Sequence, residues 1–106
     1  MNSKVYYGHT FLEKKELKDL NKINKIELEY YRTKKRKCLF SKENIKSYGI
    51  EIVKKEYKGK KLNIEREKVD RISDTKSKID NILSKLKQFK VTPITLKDVL
   101  EDMTLN

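Results

Sequence analysis

The stretch from Ser73 to Met103 constrains the fold most, because a helix-period apolar pattern stops at Lys90-Val91-Thr92-Pro93 and restarts from Thr95. Ile79, Ile82, Leu83, Leu86 and Phe89 recur at helical spacing, so they share one face and leave Lys78, Lys85 and Lys87 toward water. Ser73 or Asp74 can cap this helix. Pro93 has no N–H and pushes Thr92 out of the α region, while Thr95 with Asp98 three residues on makes a capping-box-like start for a second helix. The second helix has an apolar side of Leu96, Val99, Leu100 and Met103. A helix-turn-helix in a chain of net charge +11 raises a DNA-binding hypothesis.

Upstream, the period changes from helical to alternating. Ile26, Leu28 and Tyr30 alternate with Glu27, Glu29 and Tyr31, which is a half-buried strand. Tyr48, Ile50 and Ile52 alternate with Glu51 and Val53. Lys58-Gly59-Lys60 then turns the chain into a strand with Leu62 and Ile64 opposite Asn63 and Glu65. Three such strands predict an antiparallel meander whose apolar face, with Ile50, Ile52 and Ile64, needs the two helices as cover. Phe11, Leu12, Leu17 and Leu20 suggest a short helix over 11–23. The expected architecture is α+β and winged-helix-like. It is one domain over 1–106, with 1–24 mobile or helical, a three-stranded sheet over 25–72 and a helix pair over 73–104.

Two segments of this pattern and the Pro93 turn carry a resemblance. Tyr48-Gly49-Ile50-Glu51-Ile52, Asn63-Ile64-Glu65-Arg66 and Thr92 to Leu100 resemble the signature segments of a small uncharacterised protein family of clostridia, over about residues 26 to 103. That family carries no established activity. By size and architecture alone, the chain is also similar to the winged-helix accessory proteins that bind the transfer origin of clostridial conjugative plasmids. That likeness implies a duplex-DNA partner and a regulatory or plasmid transfer and maintenance role.

Composition bounds the rest. With 106 residues, 36% hydrophobic and 41% charged, the chain has room for one thin core under a charged surface. No apolar run approaches the ~20 residues of a membrane span, and the first twelve residues lack a signal peptide's apolar core. The expected location is the cytoplasm, with no membrane partner. Cys38 and His9 are single, which leaves no disulfide pair or metal cluster to build, and no cofactor is expected. Nor is there a Gly-rich phosphate loop or a Ser/His/Asp constellation, so the reading is noncatalytic. Glu27, Glu29, Glu51, Glu65 and Glu67 read as a solvated charge lattice on the outer sheet face. Tyr30 and Tyr48 sit at inward positions and Tyr31 and Tyr57 at outward ones.

The 27 basic residues are 23 Lys and 4 Arg, spread evenly: residues 1–53 carry +6 and 54–106 carry +5. Lysine excess alone can reflect compositional bias, but a net charge this large attracts polyanions. Two clusters stand out as candidate phosphate contacts: Arg32, Lys34, Lys35, Arg36 and Lys37 past the first strand, and Lys54, Lys55, Lys58, Lys60 and Lys61 around the hairpin. In a simple meander they lie at opposite ends of the sheet, and a homodimer or a folded-back 33–47 connection would be needed to join them. The second helix carries Asp98, Glu101 and Asp102 after Lys97, which makes it a poor groove reader. The basic hairpin is the better wing. The competing reading is a protein-interaction adaptor, with a protein partner docked on the acidic helix or an open sheet edge.

Overall fold

A computed structural model describes residues 2–12, 25–38 and 44–104. The elements run β1 (Asn2–Leu12), β2 (Lys25–Cys38), β3 (Asn44–Lys58), β4 (Lys61–Ser73), α1 (Lys76–Gln88) and α2 (Leu96–Thr104). All four strands form one antiparallel meander in the order β1-β2-β3-β4.

This corrects the expected three-stranded, winged-helix-like layout. The chain is mostly sheet; α1 packs against all four strands, and α2 reaches the core through Leu96 and Leu100. It is therefore not a three-stranded sheet under a helix-turn-helix pair. The missing strand is β1, where Phe11 and Leu12 are extended rather than helical; the remainder of the expected 11–23 helix lies outside the described residues. Val5, Tyr6, Tyr7, Thr10 and Phe11 are β-branched or aromatic and suit a pleated surface. Their period-2 signal is broken by a bulge between Tyr6 and Gly8, which re-phases the strand against β2.

The core lies between one sheet face and the helices. Leu28, Tyr30, Ile50 and Ile52 from the sheet meet Ile79, Ile82, Leu83 and Leu86 from α1, with Val91, Leu96 and Leu100 closing the side. Phe89, expected on that stripe, is 69% exposed at the helix C-cap. There Lys90 adopts φ 54°, its N–H bonds the Lys87 carbonyl, and the Val91 N–H reaches the Leu86 carbonyl at 2.9 Å. This Schellman arrangement turns the chain sharply and sends Val91 inward in place of Phe89. At the other end Thr75, not Ser73 or Asp74, is the N-cap, and its side chain makes no capping bond.

Ile64 is the second correction. A three-residue turn over Lys58–Lys60 would place Ile64 opposite Lys54, facing the helices. The turn instead holds two residues, Gly59 and Lys60, with Gly59 at φ 55° and Lys58 opposite Lys61. That one-residue difference flips the strand. Leu62 and Ile64 therefore face away from the helices, 47% and 46% exposed, while Glu65 and Glu67 lie on the helix side, where Glu67 meets Lys97 of α2 at 3.8 Å.

Tyr30 is fully buried, and its hydroxyl donates to the Val91 carbonyl at 2.9 Å, tying β2 to the inter-helix turn. Burial pushes its phenol pKa well above the ordinary range. Tyr30→Phe should leave that carbonyl unpaired and lower stability by about 1–3 kcal/mol, read from the urea midpoint.

Candidate nucleic-acid interface

The strand register distributes the ten candidate cations over two faces and two ends. Arg32, Lys34, Arg36, Lys54, Lys58 and Lys61 have the parity of Tyr30 and Ile52, the helix side, whereas Lys35 and Lys55 alternate onto the open side. Lys60 lies in the turn. Lys37 falls in the open-side register, and its side chain lies outside the described residues. The two clusters are not brought together: twelve residue steps along β3 separate Lys46, which pairs with Arg36, from Lys58, which is about 40 Å of strand. The molecule measures 58 × 32 × 18 Å.

Several of these cations already hold a carboxylate. Arg32 donates to Asp80 of α1 at 2.9 Å, a bond that ties the helix to the sheet. Lys35 meets Asp70 at 2.8 Å, Lys54 meets Glu65 at 3.5 Å, Lys55 meets Glu29 at 3.2 Å and Lys58 meets Glu56 at 3.2 Å. The Lys35 ammonium holds the Asp70 carboxyl below its ordinary range, and the hydrogen bond to Glu29 raises the Lys55 amine. Lys60 and Lys61 at the hairpin tip, and Lys34, Arg36 and Lys46 at the far end, have no carboxylate partner among the described residues. Lys34 lies 5.9 Å from the Tyr48 ring centroid, against the sheet end.

On the sheet face away from the helices no described element packs; Thr33, Glu51 and Val53 on it are buried, and its centre is aromatic. Tyr6, His9 and Phe11 of β1 sit beside Tyr31 of β2, with Tyr57 of β3 across Lys25. The Tyr6 and Tyr31 rings meet edge-on at 5.7 Å, His9 and Phe11 at 5.4 Å, and Tyr6 is stacked on His9 at 6.3 Å. Tyr6 Oη also hydrogen-bonds His9 Nδ1, and Tyr31 Oη donates to Glu29 at 3.1 Å. Desolvation raises both phenols, with the Glu29 carboxylate adding to each, so both hold their protons at neutral pH. Lys4 sits 4.6 Å over the Tyr31 ring and Lys25 4.6 Å over Phe11.

The sequence marks Tyr31 and Tyr57 as outward; Tyr6, His9 and Phe11 escape notice because β1 does. The signal available is the run of β-formers from Val5 to Phe11, whose bulge hides the alternation. Among the described residues no group of three or more His, Cys, Asp or Glu gathers at metal-ligand spacing. No described helix is long and apolar enough to cross a membrane.

The chain belongs to a family of unknown function, DUF6514, whose profile matches residues 9–106. No curated protein and no solved structure matches it.

Proposed function

We propose that this family member is a noncatalytic nucleic-acid-binding protein with a regulatory role in a clostridial setting. The duplex-DNA expectation rests on the basic clusters, with the hairpin as a wing and the helix pair as scaffold. The hairpin is present as the β3–β4 turn but the winged-helix layout around it is not, so the proposal concerns phosphate contact rather than groove insertion. A plasmid-transfer role follows from the winged-helix layout alone and is dropped with it. The supporting observation is the placement of charge among the described residues: Lys54, Lys55 and Lys58 are matched by carboxylates, and the cations with no described carboxylate partner stand at the hairpin tip and at the Arg36–Lys46 end. A cation already paired gains less from a phosphate than one that is not, because it must first give up its partner.

That distinction makes the reading testable. Lys60→Gln/Lys61→Gln and Arg36→Gln/Lys46→Gln should each weaken binding and lower the salt slope by about one for every phosphate that is no longer neutralised. Lys54→Gln/Lys58→Gln should change the slope less, and Lys97→Ala least. The measurement is fluorescence anisotropy at several salt concentrations, with folding checked by circular dichroism. Equal slopes for all four variants would reject the proposal in favour of a protein-interaction adaptor, to which the exposed Leu62 and Ile64 would then point.

A further inference from the structure

Resting on that reading, we infer that the open face of the sheet is a stacking platform for single-stranded nucleic acid, with the bases laid on the rings of Tyr6, Tyr31, Phe11 and Tyr57. The first reason is the kind of surface presented. A duplex offers phosphates outside and base edges in its grooves, but never a base face along its length, so exposed rings on a sheet face gain nothing from it. An unpaired strand exposes a π-face on every nucleotide, and each base stacked on a protein ring strengthens binding irrespective of sequence. Here Tyr6, His9, Phe11 and Tyr31 stand on two adjacent strands at centroid separations of 5.4–6.3 Å, held against one another before any ligand arrives, and Tyr57 follows on β3 across Lys25.

The charge pattern of the same face is complementary to a strand lying with its backbone at the margin. By register the described strands carry Lys4, Lys25, Lys35, Lys37, Lys55, Arg66 and Lys68 on the open side, seven cations against the four carboxylates Glu27, Glu29, Glu51 and Asp70. The interior carboxylates are mostly neutralised in place: Glu51, 7% exposed, meets Lys4 at 3.4 Å and Arg66 at 4.0 Å, and Glu29 is held by Lys55 and the Tyr31 hydroxyl. With the central cations already held by carboxylates, the centre offers phosphates little, which favours bases inward and backbone outward. Lys4 and Lys25 rest over rings through long flexible stems, so each amine can move aside to a phosphate as a base takes its place on the ring. The exposed Leu62 and Ile64 extend the apolar surface beyond Tyr57.

The experiment titrates full-length protein with three labelled probes of one mixed sequence: a 20-nucleotide single-stranded DNA, the corresponding RNA, and the 20-base-pair DNA duplex. The chain has no Trp and six Tyr, so its intrinsic emission comes from tyrosine and stacking should quench it. Tyr6→Leu, Phe11→Leu and Tyr31→Leu keep apolar bulk while deleting the ring. Each should weaken single-strand binding about tenfold or more, whereas Tyr6→Phe and Tyr31→Phe should retain it. The Leu variants should leave any duplex binding unchanged. The ratio of DNA to RNA affinity then shows which strand the platform prefers, and tighter binding of either strand than of the duplex supports the inference. If wild type binds the probes but folded Leu variants bind single strands equally well, the platform is overturned and the phosphate reading survives. If wild type prefers the duplex, stacking is overturned as well. If wild type binds none of the probes, both readings fall together. A dimer that dissociates in the Leu variants, without single-strand affinity, would make this face an interface between copies and likewise overturn the inference.

Discussion

Leu83→Ala should lower the unfolding free energy by about 2–5 kcal/mol. Leu83 is fully buried on α1 between Ile79 and Leu86, over the Tyr30, Ile50 and Ile52 side chains, so truncation strips apolar packing and leaves a cavity that a sheet cannot easily collapse into. A domain of this length has a total stability of only about 5–15 kcal/mol, so the variant should melt far below wild type. The informative companion is Ile64→Ala. With Ile64 46% exposed on the opposite sheet face, its truncation should cost well under the Leu83 loss. Comparable losses in paired urea titrations would mean that β4 is in the other register, with Ile64 in the core.

Gly49→Ala should be nearly as damaging through overpacking. A Cβ on Gly49 would lie 2.3 Å from the Val69 carbonyl oxygen, 2.7 Å from Thr33 Oγ1 and 2.9 Å from Asp70 Cα. Two of the three are backbone atoms that move only if β4 moves. The crowding has a cause in the register: Tyr48 pairs with Ser73 but Ile50 with Val69, so a bulge of β4 closes over Gly49, with Arg71 at φ 56° inside it. That bulge re-phases the strand so that both Val69 and Ile72 pack against the core. The expected cost is about 1–3 kcal/mol or more, by thermal denaturation. Gly8→Ala is the control, since its nearest neighbour is the flexible Lys87 amine at 3.3 Å. Adding Thr33→Ala should rescue Gly49→Ala only in part, because the Val69 carbonyl clash persists. Full rescue would place the crowding on the Thr33 side chain instead.

The platform residues divide along the same line between local and nonlocal causes. Tyr31 is legible as outward because it alternates with the buried Tyr30, and any strand obeys that alternation. Its neighbours Tyr6, His9 and Phe11 are not, because a bulged edge strand follows no single period over its length. The basic clusters are legible as composition, but which of their members retain unpaired charge depends on cross-strand partners such as Asp80 for Arg32 and Glu29 for Lys55. Those partners lie up to 48 positions away in the chain.

Local period and backbone chemistry, readable along the chain, are enough to specify two helices divided at Pro93, the β2 and β3 alternation that buries Leu28, Tyr30, Ile50 and Ile52, and the Gly59 turn. Whatever depends on register was settled by long-range pairing instead. The two-residue turn put Ile64 on the open face, the bulge at Gly49 folded β4 back toward the core, and the pairing of β1 with β2 completed a four-stranded sheet with an aromatic centre. The physical reason is that side-chain direction in a strand alternates with every residue. A one-residue shift, invisible in composition and nearly invisible in pattern, exchanges the buried face for the exposed one.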